Sequence, residues 1–216
     1  MQAALTRLVL AATLAPFFVE PAPALAFSAF VTNEKGNSIT VIDTERMEAT
    51  KTFAIGKRPR GVVLSPDGAR LYVCASDDNA IQIVDTASLA IVGRIQTSDP
   101  EQAVLSPDGT RLYVANEDDN LVSIIDTQSR KSIAEIPVGV EPEGVAVSPD
   151  GKTIVATSET TNMAHFIDAA TRKTIGNVLV GARPRFAQFK PDGSELWVSS
   201  EVGGSVAVID PSASVR

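Results

Sequence analysis

The sequence predicts an all-β protein, and two repeated markers are the observations that predict it. The tetrapeptide S-P-D-G begins at Ser65, Ser106 and Ser148 and returns as K-P-D-G at Lys190, in steps of 41, 42 and 42 residues. An apolar pair followed by aspartate ends at Asp43, Asp85, Asp126, Asp168 and Asp210, in steps of 42, 41, 42 and 42 residues. Two independent markers with one shared period indicate that the chain repeats a single structural unit.

Each repeat contains four short segments that are rich in Val, Ile, Leu and Tyr and bounded by Gly, Pro, Asp, Asn or Ser, as expected for strands. In the second repeat these segments are 61–64, 70–75, 80–84 and 89–96. Four strands in a period of roughly 40–45 residues are typical of a β-propeller blade, whose strands A to D run outward from a central channel. The predicted fold is therefore a propeller of four-stranded antiparallel blades.

The repeated turns have local causes. In S-P-D-G the proline presets φ, Ser and Asp can bond nearby backbone N–H groups, and glycine closes the turn between strands A and B. Asp-Thr, as in Asp85-Thr86, has the same role between strands C and D. We therefore interpret the repeated aspartates as turn residues and not as catalytic carboxylates.

The N-terminus and the charge restrict the class of protein. Residues 1–26 are typical of a secretory signal peptide, because Arg7 precedes an apolar run and Ala24-Leu25-Ala26 forms a small-x-small cleavage pattern. The propeller repeats then occupy 27–216, with no membrane span after cleavage. The net charge of -7 disfavours a nucleic-acid partner, and the single cysteine, Cys74, allows no intramolecular disulfide.

The repeats resemble the YVTN family of β-propellers. The family tetrad is approximated by Phe30-Val31-Thr32-Asn33, Tyr72-Val73-Cys74-Ala75, Tyr113-Val114-Ala115-Asn116 and Trp197-Val198-Ser199-Ser200, whereas Val155-Ala156-Thr157-Ser158 departs from it. Longer stretches, among them VGVEPEGVAVSPDGK, are similar to exported propellers associated with pyrroloquinoline quinone-dependent alcohol catabolism. The resemblance implies a seven-bladed, periplasmic and non-enzymatic protein. We expect no cofactor. The chain is also similar, more distantly, to the propellers of haem-dependent nitrite reductases and of lactonases.

The length departs from that family. Seven blades need roughly 290 residues, and the 190 residues after a 26-residue signal supply about 4.5 blades. The first repeat lacks strand A and the last lacks strand D, so we expect a truncated reading frame or fragment. The alternatives are an open arc completed by another chain and an irregular five-bladed ring.

The predicted binding site lies on the propeller face that carries the D-to-A and B-to-C loops, because the sequence varies there. Around the proline of the D-to-A loop the charge changes sign between blades, and strand A is innermost, so these residues should rim the channel. The candidates for binding a periplasmic protein or a small anionic ligand are Arg58, Arg60, Glu101, Glu141, Glu143, Arg183 and Arg185. The alternative is structural pairing of Arg60 and Arg185 with Glu101 and Glu143.

Two hypotheses of other classes stay open. A metal-dependent hydrolase or lactonase could use Glu34, Glu117, Glu159 and Glu201 as oxygen ligands, and a haem-binding propeller could use His165 as an axial ligand. The structural interpretation of these residues is simpler. It expects His165 at an exposed strand position, Cys74 in a buried packing role, and hairpin turns at 77–79 and 118–120 in place of calcium loops.

Overall fold

The computed structural model describes residues 27–214 and arranges them as five consecutive antiparallel sheets, the blades of a β-propeller. The proposed signal peptide, 1–26, lies outside the described residues. Blade 1 contains β1 (Ser28–Asn33), β2 (Ser38–Asp43) and β3 (Glu48–Ala54). Blade 2 contains β4 (Pro59–Leu64), β5 (Arg70–Ala75), β6 (Ala80–Asp85) and β7 (Ile91–Gln96), with a 3-10 turn at Ser76–Asp78.

The remaining blades follow the same order. Blade 3 contains β8 (Pro100–Leu105), β9 (Arg111–Asn116), β10 (Leu121–Asp126) and β11 (Lys131–Pro137). Blade 4 contains β12 (Pro142–Val147), β13 (Thr153–Ser158), β14 (Met163–Asp168) and β15 (Lys173–Leu179). Blade 5 contains β16 (Pro184–Phe189), β17 (Leu196–Ser200) and β18 (Ser205–Ile209), and a short helix, α1 (Pro211–Ser214), follows it.

The predicted strands and turns are confirmed. Within each blade, every strand pairs with its neighbours in sequence. In blade 2 the ends of the four strands lie within two residues of those predicted. In the first S-P-D-G turn Gly68 has a φ of 71°, and the Asp67 carboxylate accepts the N–H of Ala69 at 3.0 Å. Asp85 accepts the N–H of Ser88 at 2.9 Å and closes the turn between strands C and D. These aspartates therefore act as turn residues.

The hydrophobic core lies between adjacent blades, where the facing sheets bury their apolar side chains against each other. Between blades 2 and 3, Tyr72 and Cys74 of β5 pack with Leu112 and Val114 of β9. Equivalent clusters join blades 1 and 2, blades 3 and 4, and blades 4 and 5. Cys74 is fully buried, as predicted, and burial strongly raises the pKa of its thiol. It is thus a packing residue.

The described blades form an arc. Blade 1 lacks an innermost strand and blade 5 lacks an outermost one, as predicted for the first and last repeats. The inner strands β4, β8, β12 and β16 contact one another in turn along the channel. No helix within residues 27–214 is long and apolar enough to span a membrane.

Candidate binding site at the channel mouth

The loops that lead into the inner strands share one backbone conformation. The residue before each proline has a positive φ, which is 49° at Arg58, 26° at Asp99, 57° at Glu141 and 59° at Arg183. Such a conformation is disfavoured for L-residues and needs support from the surrounding structure. It turns the chain sharply into the inner strand, and it places the residues on either side of the proline at the channel mouth.

An asparagine of the preceding blade supports each of these turns. The N–H of Arg58 donates to Oδ1 of Asn37 at 3.0 Å, and Glu141 donates to Asn120 at 2.9 Å. Asn79 and Asn162 accept the N–H groups of Asp99 and Arg183 at 2.8 and 2.9 Å. These four asparagines recur at the 41- to 42-residue period of the chain. Their hydrogen bonds hold the start of each inner strand against the preceding blade.

Arg60, on β4, joins three blades. Its guanidinium nitrogens lie 3.2 Å from Glu34 of blade 1, 2.6 Å from Glu101 of blade 3 and 2.9 Å from Glu143 of blade 4. Such reach is possible because the residue after the proline points into the narrow channel. Blades distant in sequence therefore meet at a single side chain.

Arg58 and the two arginines of blade 5 extend this network in both directions. Arg58 lies 3.4 Å from Glu34, 3.0 Å from Glu101 and 3.5 Å from Asp99. Arg185 pairs with Glu143, and it lies 2.8 Å from each of Glu159 and Glu201. The rim cluster, as we call it, consists of Arg58, Arg60, Arg183, Arg185, Glu34, Asp99, Glu101, Glu117, Glu143, Glu159 and Glu201.

Two carboxyl groups of the rim cluster are buried. Glu101 is 2% exposed, and burial raises its pKa to about 8 although Arg60 and Arg58 oppose the shift. Burial likewise raises the pKa of Glu143 to about 7 against Arg185 and Arg60. The guanidinium nitrogens are close to Glu101, but neither of its oxygens accepts a well-directed hydrogen bond. Arg58 and Arg60 therefore lie close to Glu101 without a directed hydrogen bond to it.

A cavity of about 350 Å³ opens at the channel mouth beside these groups. Its wall combines charged rim side chains with the polar groups of Thr32 and Gln102 and the backbone at Gly61. The lining residues are Thr32, Glu34, Pro59, Arg60, Gly61, Glu101, Gln102, Glu143 and Arg185. A small polar ligand, or one side chain of a partner, would fit this space.

The structure brings six of the seven candidate residues together and leaves one apart. Arg58, Arg60, Glu101, Glu143, Arg183 and Arg185 belong to the rim cluster. Glu141 makes no ion pair with residues 27–214, and its carboxylate accepts a hydrogen bond from the hydroxyl of Thr160. The predicted pairing of Arg60 and Arg185 with Glu101 and Glu143 is present. Sequence reasoning did not include Asp99, although it precedes the proline of its repeat as Arg58 does.

The expected exposure of His165 is wrong. The side chain is buried, its Nδ1 lies 2.7 Å from Oδ1 of Asn177, and its Nε2 accepts the N–H of Gly139 at 3.0 Å. Burial lowers the pKa of the imidazole, which favours the neutral ring. In blade 2, Gln82 holds the same position and accepts the N–H of Gly56 at 3.1 Å. His165 therefore holds a D-to-A loop by accepting a backbone hydrogen bond, as Gln82 does.

The candidate metal ligands are each beside an arginine. Glu34 and Glu117 lie at Arg58, and Glu159 and Glu201 lie at Arg183 and Arg185. Oxygens of Asp99, Glu101 and Glu117 come within 4.8 Å of one another, which would suit a cation. The guanidinium of Arg58 already lies 3.0 to 4.0 Å from all three. Arg58 thus supplies the positive charge that this group requires.

Comparison with known proteins supports the propeller fold. A chain of hydrazine synthase from Kuenenia stuttgartiensis is similar to this chain with a TM-score of 0.78 and 28% sequence identity, over 86% of this chain. The match covers 60% of the hydrazine synthase chain. No curated protein matches the sequence. The family model of the cytochrome D1 heme domain matches residues 70–180, which is more than half of the 216 residues. The chain belongs to the cytochrome D1 heme domain family.

Proposed function

We propose that this protein is a non-enzymatic binding propeller that captures a partner at the channel mouth, through the rim cluster. The observation that carries the proposal is the buried Glu101, which lies between Arg58 and Arg60 at the wall of the 350 Å³ cavity. Burial disfavours the charged form of this carboxyl group, and partly exposed ion pairs return only about 0–1 kcal/mol each, so stability alone does not account for its position. Ionisable groups with shifted pKa values beside a cavity are typical of functional sites.

The charge balance of the rim cluster favours a partner with cationic groups. Seven carboxyl groups face four guanidinium groups, and five carboxylates remain even when Glu101 and Glu143 are protonated. Arg60 and Arg58 lower the pKa of Glu34 although burial opposes this, so its charge persists in weak acid. A small anionic ligand, as expected from the sequence, would have to displace a protein carboxylate from an arginine. Basic side chains of a protein partner could instead use the exposed outer carboxylates.

A labelled oligolysine peptide tests this proposal by fluorescence anisotropy. Glu34→Gln with Glu201→Gln removes the half-exposed carboxylates at the two ends of the rim cluster, and we expect the dissociation constant to rise by at least about tenfold. Glu48→Gln with Glu135→Gln removes the same charge from exposed outer strands and should leave the affinity nearly unchanged. Equal losses in both variants would show attraction to net charge alone and would refute a rim site.

Haem binding is the second candidate function, and the family match favours it. The residues of this chain do not fit the group well. Haem iron is held by residues such as His, Cys, Met or Tyr. The one histidine uses both ring nitrogens within the fold, the one cysteine is fully buried, and Tyr72 and Tyr113 are buried between blades. Of the described methionines, Met163 is partly buried, and the exposed Met47 lies in the turn between β2 and β3, on the face opposite the channel mouth. We therefore expect no change in the Soret spectrum when haem is added to the purified protein, and a shifted band would favour the haem reading.

The metal-dependent hydrolase is disfavoured by the position of Arg58 among the carboxylates. Calorimetric titration with calcium should show no binding tighter than the millimolar range. Micromolar binding that Glu117→Gln abolishes would reverse this conclusion.

The cellular setting remains part of the proposal. Export to the periplasm rests on the sequence of residues 1–26, and an accessory role in quinone-dependent alcohol oxidation rests on the resemblance to YVTN propellers. The haem-domain family and the hydrazine synthase neighbour support a propeller and leave both points to experiment. N-terminal sequencing of the exported protein would test the first point, since cleavage after Ala26 is expected.

A further inference from the structure

On the face opposite the channel mouth, blade 4 lacks an ion pair that blades 2 and 3 share. In blade 2, Arg70 at the start of strand B pairs with Asp85 at the end of strand C, and blade 3 has the equivalent pair. Blade 4 has Thr153 at the position of the arginine, whereas the aspartate, Asp168, is retained. Within residues 27–214, Asp168 therefore makes no ion pair.

The same corner of blade 4 also lacks a hydrogen bond. In blade 3 the hydroxyl of Thr127 donates to the carbonyl of Gly109 at 2.9 Å, and blade 2 has the equivalent bond at 2.7 Å. Blade 4 has Ala169 at the position of this threonine, so no side chain of the described blades donates to the carbonyl of Gly151. Blade 4 thus presents two acceptors, the Asp168 carboxylate and this carbonyl, whose counterparts are satisfied in the blades before it.

A cavity of about 590 Å³ lies beside these two acceptors, between blades 3 and 4, and this volume is typical of sites for small molecules. Its wall includes the apolar groups of Pro107, Ala169 and Ala170. Tyr113 also lines the cavity although it is only 4% exposed, and its hydroxyl has no hydrogen-bond partner in the part of the chain that the structure describes. Burial raises the pKa of this hydroxyl, so it stays protonated. Since buried polar groups normally have a partner, the unpartnered hydroxyl indicates a ligand in the cavity.

The charge of the cavity favours a cation. A hydrogen bond from Ser106, with others from its turn, lowers the pKa of Asp108 to about 2, and a backbone N–H lowers the pKa of Asp168. Both carboxylates are therefore ionised, and neither has an ion-pair partner among the described residues. Arg111 and Lys152 also line the cavity, but each already pairs with another aspartate.

The equivalent interface between blades 2 and 3 indicates which cation would fit. There the guanidinium of Arg130 lies so close to Gly93 that a Cβ on this glycine would be 2.6 Å from one of its nitrogens. Burial raises the pKa of Tyr72, which holds the position of Tyr113, and the charge of Arg130 opposes the shift. In blade 4 the equivalent arginine, Arg172, donates instead to a backbone carbonyl of blade 3 at 3.0 Å. The fold thus places this cross-blade guanidinium near Tyr72 but not near Tyr113.

We propose that the cavity between blades 3 and 4 binds a guanidinium group carried on an apolar stem. A planar guanidinium donates to several acceptors at once, which suits a carboxylate and a carbonyl that both lack a donor. The stem would pack against the apolar wall. A free alkylguanidine and an arginine side chain of a partner share this chemistry. The site lies on the face opposite the rim cluster, so the inference is independent of the proposed function.

Titration of the purified chain with butylguanidine, followed by ligand-detected NMR, tests the inference. We expect a dissociation constant of about 1 mM or tighter. Asp168→Asn keeps an acceptor for the turn and removes the charge, so the dissociation constant should rise at least about tenfold. Thr153→Arg restores the arginine that blades 2 and 3 carry, and by pairing with Asp168 it should abolish binding without lowering the melting temperature.

Asp85→Asn is the matched control, because it makes the same substitution at the same turn of blade 2, and its variant should bind butylguanidine as the parent does. Butylammonium has the same charge without the planar fork and should bind at least about tenfold more weakly. Equal binding of butylammonium would overturn the assignment to a guanidinium group.

Acetyl-arginine methylamide distinguishes the two sources of the group. Tighter binding than that of butylguanidine supports an arginine side chain of a partner, and weaker binding supports a free small molecule. The inference is overturned if neither compound binds. It is also overturned if the parent, Asp168→Asn and Thr153→Arg bind butylguanidine with equal affinity.

Discussion

At the scale of single residues, Glu101 and His165 show how burial changes the chemistry that the sequence displays. The sequence places Glu101 among charged loop residues, and it gives no indication that the inner strands β4 and β12 cover this side chain on both sides. His165 lies among polar strand residues, which suggested exposure. Its burial follows from the D-to-A loop that folds over it, and the matching Gln82 could have indicated this role. Burial by neighbouring blades is a non-local property, so the pattern of one strand does not determine it.

The raised pKa of Glu101 predicts a specific pH dependence of stability. A carboxyl group that titrates near 8 in the fold and near its ordinary 4.5 when unfolded keeps its proton in the folded state through that window. The free energy of unfolding therefore falls as pH rises from about 5 to 8. In the parent, this group should lower the free energy of unfolding by at least about 1 kcal/mol between pH 5 and 8, and Glu101→Gln should abolish that decrease. Urea unfolding of both proteins across this pH range is the measurement. A difference between parent and variant that does not vary with pH would mean that Glu101 is ionised in the fold.

The lowered pKa of His165 predicts that its contribution to the free energy of unfolding rises with pH in weak acid, opposite to that of Glu101. The folded state favours the neutral ring, so this contribution to stability is complete above the ordinary pKa of 6.5 and is lost as pH falls below it. His165→Gln should preserve stability near neutrality, because Gln82 makes the same bond to Gly56, and it should remove the acid sensitivity. Thermal melting of parent and variant across this range is the measurement. His165→Ala is the control and should lose about 1–3 kcal/mol at all pH values, because the Gly139 N–H is left unpaired.

At the scale of elements, the strands and turns were predictable and the links between blades were not. The period of the markers determined the strand order, and S-P-D-G determined the A-to-B turns, since both depend on local sequence. The asparagines at 37, 79, 120 and 162 were visible as a repeat, but their partners belong to the next blade. Gly204 holds this position in blade 5, where it has a φ of 54° and no side chain to fasten a following strand.

Asn120 provides a test of this link. Asn120→Gly removes the hydrogen bond to Glu141 but keeps a residue suited to the positive φ of 56°, so we expect a loss of about 1 kcal/mol. Asn120→Ala removes the bond and also strains the backbone, and its loss should be larger, about 2–3 kcal/mol. Urea unfolding of both variants measures the two losses. Equal losses would show that backbone strain does not contribute, and no loss would show that the bond is unimportant.

At the scale of the whole molecule, the rim cluster joins side chains from all five blades. The sequence placed the charges on the correct face because loops of one face can be assigned from strand order. It could not show that Arg60 reaches across to Glu143, since the two residues are 83 positions apart and meet only when the blades curve around a channel. The number of repeats, in contrast, was readable from the period of the two markers.

The buried position of Glu143 predicts that the inner arginines stabilise the arc. Arg60→Glu with Arg185→Glu leaves this carboxyl group buried without its two cations, and we expect a loss of about 3–5 kcal/mol in urea unfolding. Arg46→Glu with Lys131→Glu changes the net charge equally at exposed sites and should cost less than about 1 kcal/mol. A double variant as stable as this control would mean that the pairs contribute nothing to the fold. For this reason the exposed Glu34 and Glu201 are the better positions for testing binding.

Hydrogen–deuterium exchange with and without the oligolysine peptide tests the central claim most directly, because it locates the bound surface. If the channel mouth is the binding site, slowed exchange should be confined to the loops that carry the rim cluster, around residues 33–37, 57–61, 98–102, 116–120, 140–144, 158–162, 182–186 and 200–204. The S-P-D-G turns on the opposite face should exchange at unchanged rates. Protection at those turns, or protection spread evenly over the acidic surface, would contradict a binding site at the channel mouth.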